Sequence, residues 1–178
     1  MNIENSLIIR NTIRQIFRVR QFQAKKVSEF SKTVKKKSIL EIGSGKQVQG
    51  RYPYSFRNQF DKSNKFLMTD YNKSFGHKYL DVTDIKLKSK FDIILCLNVL
   101  EHVYDYQLAI SNLYKCLEPG GTLIISVPYI YPLHDEPIDF WRFSEHSLKQ
   151  MFSNFKTFRL SHLGLRKFPI AYYLELIK

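Results

Sequence analysis

Apolar residues recur along this chain at two different spacings, and the switches between them lay out its elements. In residues 3–30, Ile9, Ile13, Ile16 and Phe17 form one stripe at helical spacing, and Arg10, Arg14 and Arg18 repeat at every fourth position on another. This pattern predicts an amphipathic, basic helical arm, followed by a polar linker at 31–37. The period then changes. Ser38-Ile39-Leu40-Glu41-Ile42 reads as a first strand, Lys65-Phe66-Leu67-Met68-Thr69-Asp70 as a second and residues 78–82 as a short third. The apolar run at 91–97, with an acid only at Asp92, is the signature of a strand buried on both faces.

Asp105 can cap a helix in which Tyr106, Ile110, Leu113 and Leu117 share a face, ended by Pro119-Gly120-Gly121. Residues 122–127 make the next buried strand, and Pro128 opens a loop that runs to Phe143. Ser144 can cap a helix carrying Leu148, Met151 and Phe152. Beyond it residues 155–160 alternate as a strand, and 170–178 reads either as a seventh, antiparallel strand or as a helix. Strands alternating with helices imply an α/β fold: a doubly wound, mostly parallel sheet of about six to seven strands with flanking helices. One crossover is weak, because Gly50 and Pro53 interrupt residues 47–61, which are expected to be mostly loop.

Length and composition fit one globular domain: 178 residues, 44% hydrophobic and 25% charged. The division expected is a basic arm at 1–37 and an α/β domain at 38–178. No apolar run approaches the roughly 18 residues of a membrane span, and Arg10, Arg14, Arg18 and Arg20 break up any signal-peptide block, so a cytoplasmic protein is expected. Cys96 and Cys116 offer neither a disulfide framework nor a metal-ligand spacing, and no metal is expected. The net charge of +12 is concentrated in residues 1–37, which carry ten Lys/Arg and two Glu, against eighteen and fourteen acids in the rest. Such an arm can serve RNA or a lipid surface. The favoured expectation is a solvated face of a helix packed on the domain, so a nucleic-acid partner is possible but not favoured.

The chemistry begins where the first strand ends, in Glu41-Ile42-Gly43-Ser44-Gly45. Ligands of an open α/β sheet bind outside the carboxyl ends of its strands, and glycine there lets the backbone come close to them. Two phosphate-cradling motifs are excluded: Val48 stands where a dinucleotide fingerprint needs its third glycine, and Leu40 and Gln47 fail the P-loop pattern. Three acids, Glu41, Asp70 and Asp81, end successive predicted strands and so line one sheet edge. An acid at the end of the second strand is placed to accept from both hydroxyls of a ribose. A nucleoside-type cofactor site follows.

At these positions the chain resembles the class I S-adenosylmethionine-dependent methyltransferases. Glu41-Ile42-Gly43-Ser44-Gly45 is similar to their first motif, Asp70 to their ribose-binding acid and Asp81-Val82 to the pair that meets the adenine. Phe91-Asp92-Ile93-Ile94 through Val99-Leu100-Glu101-His102-Val103 resembles the fourth-strand motif, and Leu117-Glu118-Pro119-Gly120-Gly121 the turn before the fifth strand. The resemblance covers residues 38–163 and implies S-adenosyl-L-methionine as cofactor, held by Glu41, Gly43, Ser44, Gly45, Asp70, Tyr71, Asp81, Val82, Leu97 and Asn98. Two departures stand out: Gln47 replaces a frequent third glycine, and the helix after the loop is less clear than usual. The stretch Val127-Pro128-Tyr129-Ile130-Tyr131-Pro132-Leu133-His134-Asp135-Glu136-Pro137-Ile138-Asp139-Phe140-Trp141-Arg142-Phe143 further resembles small, type 11-like methyltransferases of glycan and polysaccharide biosynthesis, which implies a small or saccharide-like acceptor.

Methyl transfer asks the protein to align an acceptor with the S-methyl bond and to exclude water. An oxygen or nitrogen acceptor also calls for a base. His134 is the first candidate, because imidazole titrates near neutrality and the residue lies just beyond the fifth strand; His102 is the second, although the Glu101-His102 pair can instead cap the following helix or shape the cofactor pocket. Asp135, Glu136 and Asp139 can orient a base or bind acceptor hydroxyls, whereas Asp139 with Arg142 can equally brace the loop as an ion pair over Trp141. Asn98-Val99-Leu100 after the fourth strand is not the Asp/Asn-Pro-Pro-aromatic run of base-amino methyltransferases, and no Pro-Cys nucleophile replaces it. RNA ribose methylation and a non-catalytic binding module remain as alternatives.

Overall fold

The computed structural model of the protein describes residues 18–46, 48–51 and 53–178. The stripe of Ile9, Ile13, Ile16 and Phe17, with Arg10 and Arg14, lies outside them. The described chain runs through helix α1 (Val19–Ser31), strands β1 (Ser38–Ile42), β2 (Lys65–Asp70), β3 (Lys78–Tyr79) and β4 (Phe91–Leu97), helix α2 (Tyr106–Cys116), strand β5 (Leu117–Pro128), helix α3 (Glu145–Met151), and strands β6 (Thr157–Leu165) and β7 (Phe168–Ile177). The strands form one seven-stranded sheet in the order β3-β2-β1-β4-β5-β7-β6. Strands β1 to β5 are parallel to their neighbours, while β7 runs antiparallel between β5 and β6. No described helix is long and apolar enough to cross a membrane.

The sheet's period of two sorts the core into two layers. Leu40, Ile42, Ile94, Cys96, Leu123 and Ile125 face the layer of Ile110, Leu113 and Leu148 from α2 and α3. Ile39, Ile93, Leu95 and Ile124 face the other way, against Val27 of α1 and against Phe56 and Phe60. Helix α1 therefore covers the face that a crossover helix after β1 would have filled. Its buried residues Val19, Gln23, Val27 and Ser31 fall at every fourth position, one continuous stripe. Fully burying a valine such as Val27 contributes about 1.5–3 kcal/mol to holding the helix down. Between β1 and β2 the described residues make the 3-10 turn Arg57–Gln59 and an isolated bridge between Val48 and Arg51, in keeping with Gly50 and Pro53.

Several boundaries differ from the sequence expectation, each for a local reason. Leu117 is not helical: it is extended (φ −83°, ψ 140°), caps the helix by donating its amide to the Tyr114 carbonyl and opens β5 opposite Phe91, two residues ahead of Pro119, which has no amide to continue the helix. The third strand stops at Tyr79, and Asp81 instead accepts from the Thr83 amide at 2.8 Å and its hydroxyl at 2.7 Å, closing a turn. Strand β6 runs to Leu165, past a register shift at Leu163/Gly164 where Gly164 takes a positive φ of 89°. The bulge breaks the alternation that sequence reading relies on. Of the alternatives for the C-terminal stretch, the antiparallel strand is the one formed.

Asp92 ties the starts of β1 and β4 together. It accepts from the Ser38 amide at 2.8 Å, the Ser38 hydroxyl at 2.7 Å and Lys37 Nζ at 3.0 Å. The Ser38 amide first, and then the hydroxyl and Lys37, hold its carboxyl down to about 2 from an ordinary 3.8, against a smaller opposing effect of burial. A depressed folded pKa means that this stabilisation is complete above the ordinary value and is lost as pH falls through about 2. In thermal melts, Asp92→Asn is expected to destabilise at neutral pH, with the gap to the parent protein closing in strong acid.

Candidate active site

At the carboxyl end of β1 the chain turns through Gly43, Ser44 and Gly45, and a buried carboxylate organises the turn. Glu41 Oε2 accepts from the Ser44 hydroxyl at 2.7 Å and from the Ser55 hydroxyl, and Oε1 accepts from the Phe56 amide at 2.7 Å. Burial pushes the Glu41 carboxyl up, and these three donors, with Arg20 nearby, pull it back. Arg20 of α1 donates to the Tyr54 carbonyl and lies 3.8 Å over the Phe56 ring. Gly43 and Gly45 have φ of +71° and +73°, and an added Cβ would come within 2.6 Å of Val99 Cγ2 at the first and 2.5 Å of Tyr54 Cβ at the second. Glycine is thus required twice, by conformation and by close approach.

Asp70, at the end of β2, fixes the far side of this turn. Oδ2 accepts from the Gly45 amide at 2.9 Å and Oδ1 from the Asn72 amide at 2.8 Å, which leaves each oxygen with further acceptor capacity. His77 Nε2 lies 2.7 Å from the Gly45 carbonyl oxygen. Tyr71 is exposed, its ring 5.8 Å from that of Tyr79. Val82 is buried beside the Asp81 turn, and its carbonyl accepts from Asn112. Leu97 ends β4 buried, and Asn98 follows in the left-handed region at φ 53°. Asn98 is held from α1: Gln23 Nε2 donates to Asn98 Oδ1 at 2.5 Å and to the Ser126 hydroxyl at 3.0 Å, and that hydroxyl donates to the Tyr172 carbonyl.

The loop after β5 folds back over the turn Leu100–His102. Amides of Phe140 and Trp141 both donate to the Glu101 carbonyl, at 2.9 and 3.2 Å, and the Trp141 indole donates to the carbonyls of Val103 and Tyr104. Arg142 meets both oxygens of Asp139, at 2.5 and 2.8 Å, and also reaches the carbonyls of Tyr131, Pro132 and Trp141. This guanidinium holds the Asp139 carboxyl well below the usual range. The brace is therefore real, but it does not exhaust Asp139, which also accepts from the His134 amide at 3.0 Å and lies 3.1 Å from His134 Nδ1. The rings of His134 and His102 meet edge to face at 4.7 Å. Burial holds the His102 imidazole below its ordinary value, and burial pushes the Glu101 carboxyl up to about 8.

The sequence-derived residues thus gather along one sheet edge in two groups: Glu41, Gly43, Ser44, Gly45, Asp70, Asp81 and Asn98 on one side, and His102, His134 and Asp139 on the other. Sequence reading missed Gln23, Ser55 and His77, which act through contacts across 75, 14 and 32 positions. It took Glu101 as part of a motif and of a pair with His102 that caps a helix or shapes the cofactor pocket, and not as a site residue in its own right. A glutamine at a core position of the α1 stripe was the one available signal among these.

The fold and this edge define a Rossmann-like methyltransferase. A family model described as a methyltransferase domain matches residues 12–163, and the chain belongs to that family. It is 42% identical over 69 residues to a ubiquinone biosynthesis O-methyltransferase of Rickettsia canadensis, a match to 36% of this chain and 29% of that protein. It is 28% identical over 144 residues to a malonyl-[acyl-carrier protein] O-methyltransferase of Calditerrivibrio nitroreducens, a match to 78% of this chain and 49% of that one. The chain thus spans less than half the length of either relative. Among solved structures it superposes on a magnesium protoporphyrin IX methyltransferase of Synechocystis with a TM-score of 0.68, at 14% identity over 93% of this chain and 86% of that one. The N-methyltransferase NodS of Bradyrhizobium japonicum gives 0.63 at 19% identity, over 92% and 87%. Both structures contain S-adenosylhomocysteine.

Because Gln23 is the donor for two groups at this edge, Gln23→Ala is expected to cost about 1–3 kcal/mol in denaturant unfolding. Gln23→Glu, which keeps the size but removes the donor and buries a charge, is expected to cost more.

Proposed function

We propose that this protein transfers a methyl group from S-adenosylmethionine to a small, hydroxyl-rich acceptor of the saccharide kind. The observation that carries the cofactor assignment is Asp70, a strand-end carboxylate fixed by the Gly45 and Asn72 amides with acceptor capacity to spare for a ribose diol. The other residues fit the same group. The Gly43-Ser44-Gly45 turn offers bare backbone for close approach, Val82 an apolar neighbour for the adenine, and Leu97 and Asn98 the floor between the two sides. Glu41 acts one step back: both its oxygens are engaged by the loop it shapes.

S-adenosylmethionine supplies an already activated methyl on a sulfonium, so the chain's own task is placement, shielding and proton handling. The acceptor side of the edge supports a hydroxylated ring. Tyr104 and Phe140 are exposed with their rings 5.5 Å apart, and the loop that carries Phe140 also carries the exposed residues Asp135 and Glu136, so it offers both flat apolar faces and hydrogen-bond acceptors. Asp139 holds Nδ1 of His134, which leaves Nε2 to take the acceptor's proton.

Calorimetric titration with S-adenosylhomocysteine tests the cofactor half without needing the acceptor. Asp70→Ala is expected to weaken binding by about 1.5–3 kcal/mol, the value of a hydrogen bond to a charged group; unchanged affinity removes Asp70 from the site. Once a saccharide screen has found an acceptor, His134→Ala is expected to lower kcat while S-adenosylhomocysteine affinity stays within about twofold of the parent. An unaltered kcat removes His134 from the chemistry.

A further inference from the structure

We propose that Glu101, His102 and His134 form a binding site for a divalent transition-metal ion of the zinc class. One potential ligand atom from each of the three lies within 4.8 Å of the others. Glu101 is fully buried, and neither of its carboxylate oxygens has a hydrogen-bond partner. Buried polar groups are almost always satisfied, so two orphaned oxygens on one carboxylate ask for a partner that the chain itself does not provide. A cation between the three side chains is such a partner.

The histidines are prepared in the way that metal-binding imidazoles are. His102 Nδ1 lies 3.0 Å from the Ile138 carbonyl oxygen, and His134 Nδ1 lies 3.1 Å from Asp139 Oδ2 and 3.2 Å from the Pro132 carbonyl oxygen. Acceptors on Nδ1 place the ring proton there, so each ring keeps an Nε2 lone pair for a ligand. A histidine anchored through its second nitrogen to a carbonyl or carboxylate is the usual form of a metal ligand. His102 Nε2 is 3.9 Å from Glu101 Oε1 and 3.9 Å from Asp135 Oδ2, which brings a fourth, exposed donor within reach.

Donors around one ion, bound at about 2.1 Å each, lie about 3–3.5 Å apart, closer than they stand here. Glu101 and His102 sit on a short turn and His134 on an irregular loop, so side-chain rotation can close the gap without moving a strand. Two imidazoles and one carboxylate suit zinc and its first-row neighbours; calcium prefers more oxygens, and copper(I) prefers sulfur. Cysteine spacing does not disclose this site, since no thiol takes part. Three protein ligands leave positions open for an acceptor oxygen, a role that rests on the methyltransferase reading above, although ion binding itself does not. In the loaded protein His134 is a ligand and not a proton acceptor.

The test uses the full, untagged chain, dialysed against a chelator and titrated with Co²⁺ followed by Zn²⁺ competition. One equivalent of Co²⁺ is expected to bind with visible absorption bands that Zn²⁺ abolishes. Glu101→Gln and His134→Ala are each expected to weaken binding about tenfold or more, while His146→Ala, an exposed histidine outside the cluster, leaves it unchanged. Should Glu101→Gln not fold, as judged by its melt, His102→Gln takes its place. Absence of saturable binding by the parent, or equal binding by the parent and by His102→Gln/His134→Ala, overturns the proposal. Titration of the same samples with S-adenosylhomocysteine separates the two readings: cofactor binding without Co²⁺ binding sinks the metal site alone, and Co²⁺ binding without cofactor binding sinks only the methyltransferase reading.

Discussion

The Glu41 carboxylate takes donors from Ser44 and, across more than ten positions, from Ser55 and the Phe56 amide, and this knot lets the end of a central strand become a crevice. The described residues between β1 and β2 form a 3-10 turn and an isolated bridge where a crossover helix would have supplied its own bonds, so this knot, together with the buried Phe56 and Phe60, fixes the segment. Burial works against the charge on Glu41 and is the larger effect, and three hydrogen bonds offset part of that cost. The loop's place then dictates its neighbours. Phe56 packs against the sheet, Gly43 passes against Val99, and the Gly45 amide reaches Asp70.

The second side of the crevice is held by different means. There the loop after β5 has no secondary structure of its own; its Phe140 and Trp141 amides donate to the Glu101 carbonyl, and Arg142 and Asp139 close it by a two-pronged ion pair. Such bidentate pairs add directional strength as well as charge. The turn Leu100–His102 is the hinge between the two halves, because Val99 just before it touches the glycine turn and Glu101 within it anchors the acceptor loop.

Helix α1 belongs to this arrangement more closely than its basic composition suggests. Lys25, with Arg18 just before the helix, is exposed, whereas Arg20 donates to the Tyr54 carbonyl and lies over the Phe56 ring, and Gln23 reaches the Asn98 and Ser126 side chains. The described part of the arm thus replaces a missing crossover helix in the core and also positions the residue that follows β4.

The sequence by itself determined the strands β1, β2 and β4 and the parallel order of their chemistry, because strands buried on both faces must be continuous apolar runs and their acids can stand only at the ends. Asp70 and the glycine pair were legible for a related reason: a positive φ together with close packing excludes a side chain at Gly43 and Gly45, and a charge favours a strand end. Tertiary structure alone decided which groups those acids meet. Whether Glu41 faces a ligand or its own loop depends on Ser55 and Phe56, and whether Glu101 and two histidines converge depends on a loop that returns from the far end of β5. Periodicity records how each residue stands to its sheet or helix; it carries no information on which distant loop folds over it, and in this protein the loops make the site.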